Sequence, residues 1–235
     1  MNCINNNKLY LKNIFIIDWD DTLFPTTWIS KNSINLDNLE SVKDYKLYFI
    51  ELDKTISIFL EKISNMCKNT TVSGHIYIVT NANINWIKTC LNNLQLTKKN
   101  IIKNNIRIVS ARDIYSPYSN SPTEWKINTF RDILNNIIMK MEDNQHGGSS
   151  NIMSNTFLNI ISLGDANYEY LALINLDNYF KSNNKNVNYL LKSIKFMEKP
   201  SFDYIIDQIQ VVNKNTNFII NKVGYIDLKF TPAKV

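Results

Sequence analysis

Residues 13–25, Asn13-Ile14-Phe15-Ile16-Ile17-Asp18-Trp19-Asp20-Asp21-Thr22-Leu23-Phe24-Pro25, decide the fold. The opening run, residues 13–17 (NIFII), is short and almost continuously apolar. That is the pattern of a strand buried on both faces, and such strands belong to parallel sheets covered by helices. The run then stops in three acids within four positions, Asp18, Asp20 and Asp21. Outward from this stretch the same plan recurs. HIYIV (75–79), IRIV (106–109), FLNIISL (157–163) and SIKFM (193–197) predict four further strands. Between them, apolar residues fall at helical spacing over 41–68, 83–94 and 166–177. Ser121-Pro122-Thr123-Glu124 opens another helix with an N-cap Ser, a first-turn Pro and a capping-box Glu, and Pro200-Ser201 opens one that runs to about Val212.

Strands alternating with helices predict an α/β chain: a Rossmann-like, three-layer α/β/α arrangement around a central, mostly parallel, five-stranded sheet. The 235 residues suit one domain spanning 1–235. Residues 142–156, EDNQHGGSSNIMSNT, read as a flexible loop, and 213–235 as a C-terminal extension with no assigned structure. The bias in composition is 37 Asn and 34 Ile against 5 Gly and 5 Pro. AT-rich coding promotes Asn and Ile together, so Asn is given no weight here as a turn marker.

The net charge of +5 is mild and its lysines are scattered, which gives no strong nucleic-acid-binding signature but suits an anionic substrate. No apolar run is long enough to cross a bilayer and the N-terminus lacks a signal-peptide core, so a cytoplasmic location is expected, a nuclear one being compatible with the same features. Cys3, Cys67 and Cys90 read as reduced thiols, and with His75 and His146 the only histidines, a His-rich metal site is excluded.

Ligands in open parallel sheets bind beyond the carboxyl ends of the strands. Four of the predicted strands deliver polar or charged groups there. Strand one delivers Asp18, Asp20 and Thr22; strand two, Thr80-Asn81; strand three, Ser110-Ala111-Arg112-Asp113; strand four, Gly164-Asp165 with Glu169 one helical turn on. Lys126 lies in the first turns of the helix opened by Ser121. In type, order and spacing, these residues resemble the four motifs of the haloacid-dehalogenase-like hydrolase superfamily, which is mostly phosphatases. Asp18-x-Asp20-x-Thr22 matches the first motif, Thr80 the second, Lys126 the third, and Gly164-Asp165 with Glu169 the fourth; the match spans residues 13–175. The DWDDTLFP form of the first motif is similar to that of protist members.

The resemblance implies a Mg²⁺-dependent phosphatase working through an aspartyl-phosphate. Asp18 would be the nucleophile, and Asp20 the acid that protonates the leaving group and then activates water. Thr80, Asn81 and Thr22 would bind phosphoryl oxygens, and Lys126 would supply positive charge. Asp18, the Asp20 backbone carbonyl and Asp165 would hold Mg²⁺, with Glu169 behind them or joined through water. The substrate would be a phosphorylated small molecule, a phosphoprotein or a nucleic-acid end. Lid domains sit after the first motif or after the third strand in this superfamily. Here residues 23–40 and 111–120 are too few to form one, so a nearly capless enzyme with a flap at 23–40 is expected. The competing reading is a catalytically silent module of the same fold that binds a protein. Taken singly, Asp21 is a capping residue, Lys126 a solvated helix lysine, and Trp19, Trp28 and Trp125 packing groups.

Overall fold

A computed structural model of the protein describes residues 10–143, 155–183 and 187–231. Cys3, His146 and the core of the expected loop at 142–156 lie outside the described residues. The strands are β1 (Tyr10–Ile17), β2 (His75–Thr80), β3 (Arg107–Ser110), β4 (Thr156–Gly164), β5 (Asn188–Lys195) and β6 (Ile226–Lys229). The helices are α1 (Thr26–Lys31), α2 (Leu39–Lys43), α3 (Lys46–Lys68), α4 (Ile84–Asn92), α5 (Gln95–Lys103), α6 (Ala111–Tyr115), α7 (Pro122–Asp143), α8 (Asn167–Ser182) and α9 (Phe202–Asn221).

The strands form one sheet in the order β3-β2-β1-β4-β5-β6, and every pair is parallel. The sheet therefore has six strands, not the five expected. The sixth lies in the stretch the sequence left unassigned: Ile226–Lys229 is a four-residue edge strand with only Ile226 buried, too short and too polar to show a strand pattern. The expected helix from Pro200 also continues past Val212 to Asn221.

Alternation along β1 sends its side chains into two cores. Phe15 and Ile17 join α3, α4 and α9 on one face; Ile14 and Ile16 join α7 and α8 on the other. β1 is thus covered on both sides, as its apolar run requires. No helix among the described residues is long and apolar enough to cross a membrane.

Two helix boundaries depart from the periodicity. The expected helix at 41–68 is broken at Asp44-Tyr45 into α2 and α3. The chain after α4 turns at Leu94 and enters α5, which no local signal announced. Its start is fixed from a distance: the buried Asp53 carboxylate of α3 accepts from the backbone N–H of Leu96 (2.9 Å) and Thr97 (2.7 Å).

The first core also contains a polar network. Asn159 on β4 donates to Asn13 Oδ1 on β1 (2.7 Å) and to the Ile220 carbonyl (3.0 Å). Lys192 on β5, with no exposed surface, donates to the Ile219 (2.6 Å) and Ile220 (2.9 Å) carbonyls. Together they satisfy the last carbonyls of α9, which would otherwise be buried without partners. Burial pushes the Lys192 ammonium down to about 8. A lysine depressed in the folded state stays protonated longer in the unfolded chain, so stability rises with pH between about 8 and 10.5. Relative to Lys192→Met, the wild type should gain about 2–3 kcal/mol between pH 7 and 10. Urea unfolding of both proteins at several pH values checks this, and a pH-independent difference would show that the lysine titrates alike in the folded and unfolded chain, so that burial does not depress it.

Candidate active site

β1 and β4 run in register from Tyr10–Thr156 to Ile17–Leu163. The Asp18 N–H extends that ladder by donating to the Leu163 carbonyl at 2.9 Å. Asp18 therefore leaves the centre of the sheet at its carboxyl edge, beside Gly164 and next to the end of β2. The chain then turns tightly: the N–H groups of Leu23 (3.0 Å) and Phe24 (2.8 Å) both donate to the Trp19 carbonyl, and Trp19 and Phe24 stack with centroids 5.8 Å apart. Asp21 adopts φ 53° in this turn and accepts from Thr27, through the backbone N–H at 2.8 Å and also through the hydroxyl. It caps α1, the capping role expected of it. Residues 23–40, expected as a flap, carry α1 and bury Leu23, Phe24, Ile29, Ile34 and Leu36 in the first core.

Lys126 is not a solvated helix lysine. It is 1% exposed, and its three protons go to Asp18 Oδ1 (2.5 Å), the Val79 carbonyl (2.5 Å) and Glu169 Oε1 (2.7 Å). An ammonium has three donors and all three are used. α7 places it there because Ser121 starts the helix at the right point: the Glu124 N–H donates to Ser121 Oγ at 3.3 Å. The other half of the expected capping box is absent, since the Glu124 carboxylate accepts from the Ser119 hydroxyl instead.

One buried cation thus faces two buried carboxylates. Burial disfavours the charge on Lys126, but Asp18 and Glu169 outweigh it and hold the ammonium above its usual range. Asp18 moves the other way. Burial raises its carboxyl well above the ordinary range, Lys126 pulls it back only in part, and Glu169, Asp20 and Asp165 push it further up. Asp165 is pushed up to about 7, by burial first and then by Glu169 and Asp21. The cluster is short of positive charge. Gly164 lets the Glu169 side chain lie close against β4: a Cβ there would come within 2.4–2.5 Å of it and push the carboxylate from its place beside Lys126. Glu169 Oε2 is buried without a partner.

Asp20 is held by three donors: Thr26 Oγ1 (2.6 Å) and Trp86 Nε1 (2.7 Å) at Oδ1, and Thr80 Oγ1 (2.9 Å) at Oδ2. Thr80, fully buried at the end of β2, also accepts from the Ala82 N–H at 2.8 Å. The Asn81 amide donates to the Pro122 carbonyl at 3.2 Å, which ties the end of β2 to the start of α7. Thr22 has no exposed surface and its hydroxyl has no partner. The structure therefore gathers two bonded groups at adjacent strand ends, Asp18–Lys126–Glu169 and Asp20–Thr80, with Asp165 coupled to the first by charge. Thr22 lies buried, outside the hydrogen-bonded set. Asp113 accepts from the Ile84 N–H at 2.9 Å and so serves the start of α4. His75 opens β2 at the opposite end of the sheet, where burial depresses its imidazole to about 4.

Thr26 and Trp86 had not been singled out. Trp86 lies on the apolar stripe of α4, and its ring packs edge-on against Phe24 with centroids 6.0 Å apart. Periodicity registers the ring and is blind to the N–H.

Among the described residues no group of three or more His, Cys, Asp or Glu side chains stands so as to hold a metal ion. Mg²⁺ commonly takes only one or two protein carboxylates, with carbonyls, waters and substrate oxygens completing its shell. The hard-oxygen donors here, the deficit of positive charge around Asp18 and Asp165, and the partnerless Glu169 Oε2 fit such an ion. Asp18 and Asp165 are the carboxylates that would hold such an ion directly, with Glu169, whose Oε1 is committed to Lys126, behind them. Comparison of the chain with models of protein families, with curated proteins and with solved structures finds no significant match.

Proposed function

We propose that the protein is a Mg²⁺-dependent phosphatase of the haloacid-dehalogenase-like type, acting through an aspartyl-phosphate on Asp18. One observation supports this above the others: Asp18 and Asp20 leave the same central strand, the first braced by a buried lysine and the second by three hydrogen-bond donors. A merely structural sheet edge has no need to bury the Asp18 and Glu169 carboxylates with one ammonium at such desolvation cost. Lys126 occupies Asp18 Oδ1, which leaves Oδ2 to attack phosphorus. As the Oδ2–P bond forms, the ester P–O bond breaks, and its electron pair goes to the leaving oxygen, which takes a proton from Asp20. Water then attacks phosphorus, Asp20 takes its proton, and the Asp18–phosphorus bond breaks to restore the carboxylate. Thr80 and the backbone around Asn81 orient the phosphoryl oxygens. When bound through Asp18, Asp165 and the Asp20 carbonyl, Mg²⁺ would supply the charge that offsets those oxygens. The shortness of residues 23–40 and 111–120, where a lid would be inserted, favours a bulky ester, such as a phosphoprotein or nucleic-acid end.

The first test is hydrolysis of p-nitrophenyl phosphate with and without MgCl₂, followed by a screen of small phosphate esters, phosphopeptides and nucleic-acid ends. Turnover that needs Mg²⁺ is expected; a protein inert toward every ester overturns the reading. Metal binding has its own readout. MgCl₂ should raise the melting temperature by roughly 2–5 °C, since a ligand of the folded state alone stabilises it, and Asp165→Asn should lose most of that rise. An equal rise in both proteins would place the ion elsewhere.

A further inference from the structure

We infer that Trp86 is a positioning residue: it fixes which oxygen of Asp20 exchanges protons with the substrate, and so governs which leaving groups are turned over. This rests on the phosphatase reading above. The two oxygens of Asp20 are held differently. Oδ1 accepts from the Trp86 indole N–H (2.7 Å) and the Thr26 hydroxyl (2.6 Å), while Oδ2 accepts only from the Thr80 hydroxyl (2.9 Å). The donors also differ in kind. An indole N–H donates and never accepts, so it can carry no proton in a relay; its only effect is to hold the oxygen it binds. A threonine hydroxyl has one proton and can turn. Thr80 already accepts from the Ala82 N–H at 2.8 Å, so a single proton ties it to Oδ2. Once that proton turns to a phosphoryl oxygen, Oδ2 is released and Oδ1 stays anchored.

The anchor is held on two sides. The Trp86 backbone N–H donates to the Asn83 side chain at 2.8 Å at the start of α4. The indole ring meets Phe24 edge-on at an interplanar angle of 86°, and Phe24 in turn stacks on Trp19 with its ring within 7° of parallel. These contacts oppose movement of the indole with Asp20 if the carboxylate rotates. The turn that carries Asp20 and the helix that carries Trp86 are braced against each other through these three rings. Oδ2 is then the atom that gives its proton to the leaving alcohol oxygen as the ester P–O bond breaks, and that takes a proton from water in the second step.

The consequence depends on the leaving group. An alkyl phosphate expels a strongly basic alkoxide, which needs the proton as it departs; p-nitrophenolate departs with little help. Loss of the indole N–H should therefore penalise alkyl esters selectively. Wild type and Trp86→Phe would be assayed on an alkyl phosphate, phenyl phosphate and p-nitrophenyl phosphate. For Trp86→Phe, kcat/KM on the alkyl ester, which reports the step that expels the leaving group, should fall about 10–100-fold, the range lost when proton delivery is impaired. The loss on p-nitrophenyl phosphate should be at least about fivefold smaller, with phenyl phosphate between. Equal losses on all three esters, or none, would overturn the assignment, since a structural role gives no dependence on leaving group. The bond itself is read separately by NMR. The Trp86 indole N–H resonance, identified by its loss in Trp86→Phe, should move upfield in Asp20→Asn, and an unmoved resonance also overturns the assignment. A wild type inert on all three esters, with the resonance moving as expected, overturns the phosphatase reading while leaving the Trp86–Asp20 contact standing.

Discussion

Lys126→Met should lose about 3–5 kcal/mol of stability, the cost of removing one partner from a buried ion pair, together with all measurable phosphatase turnover. The side chain is 1% exposed and its ammonium is shared by Asp18 and Glu169, themselves 7% and 4% exposed. Methionine fills much of the volume but leaves two carboxylates facing each other out of water, and leaves the Val79 carbonyl without its donor. Because the destabilisation comes from carboxylates stranded without a cation, a second change has a defined effect: Asp18→Asn in the Lys126→Met background should recover part of the loss, a coupling that a double-mutant cycle measures directly. Chemical denaturation of the four proteins gives the answer. Simple additivity would mean that the lysine acts through packing alone.

Asp18→Asn in the wild-type background should separate activity from stability. Turnover should fall on the order of 10⁴–10⁶-fold, the loss seen when an enzyme's nucleophile is removed. Stability should hold or rise by up to about 2 kcal/mol, because burial makes the ionised carboxyl costly at this position and an amide carries no such penalty. Asn can still accept from Lys126, whose charge is then matched by Glu169 alone. Persistent hydrolysis of p-nitrophenyl phosphate by the variant would remove Asp18 from the mechanism. A clear fall in melting temperature would instead make its ionised form a structural asset.

What was legible in the sequence follows a pattern. Asp18, Thr80 and Asp165 were found because an apolar strand that ends in a polar residue is a local signal, and strand ends are where ligands bind. Lys126 and Glu169 were found through helix starts. Thr26 and Trp86 were missed because their contribution is one proton each, donated to Asp20 across 6 and 66 residues of chain. The start of α5 was missed for the same reason, since its capping carboxylate, Asp53, belongs to α3. Strand β6 was missed because an exposed edge strand has no buried face to impose a pattern.

Asparagine was misjudged. It was set aside as a by-product of coding bias, yet Asn38 and Asn83 cap the starts of α2 and α4 with their side chains. Asn32, Asn69, Asn93, Asn104 and Asn183 stand at the carboxyl ends of five helices. These five keep φ between −85° and −101°, and where a left-handed residue follows, after α1 and α5, it is Ser33 (φ 52°) or Asn105 (φ 53°) rather than glycine. The effect reaches beyond the folded state. A chain with 5 glycines in 235 residues has a stiffer unfolded ensemble than one that ends its helices in glycine, and therefore surrenders less freedom when it folds. Each glycine so avoided is worth about 0.4–1 kcal/mol where the backbone geometry suits a side chain. The scarcity of glycine thereby favours folding from the side of the disordered chain, before any native contact has formed.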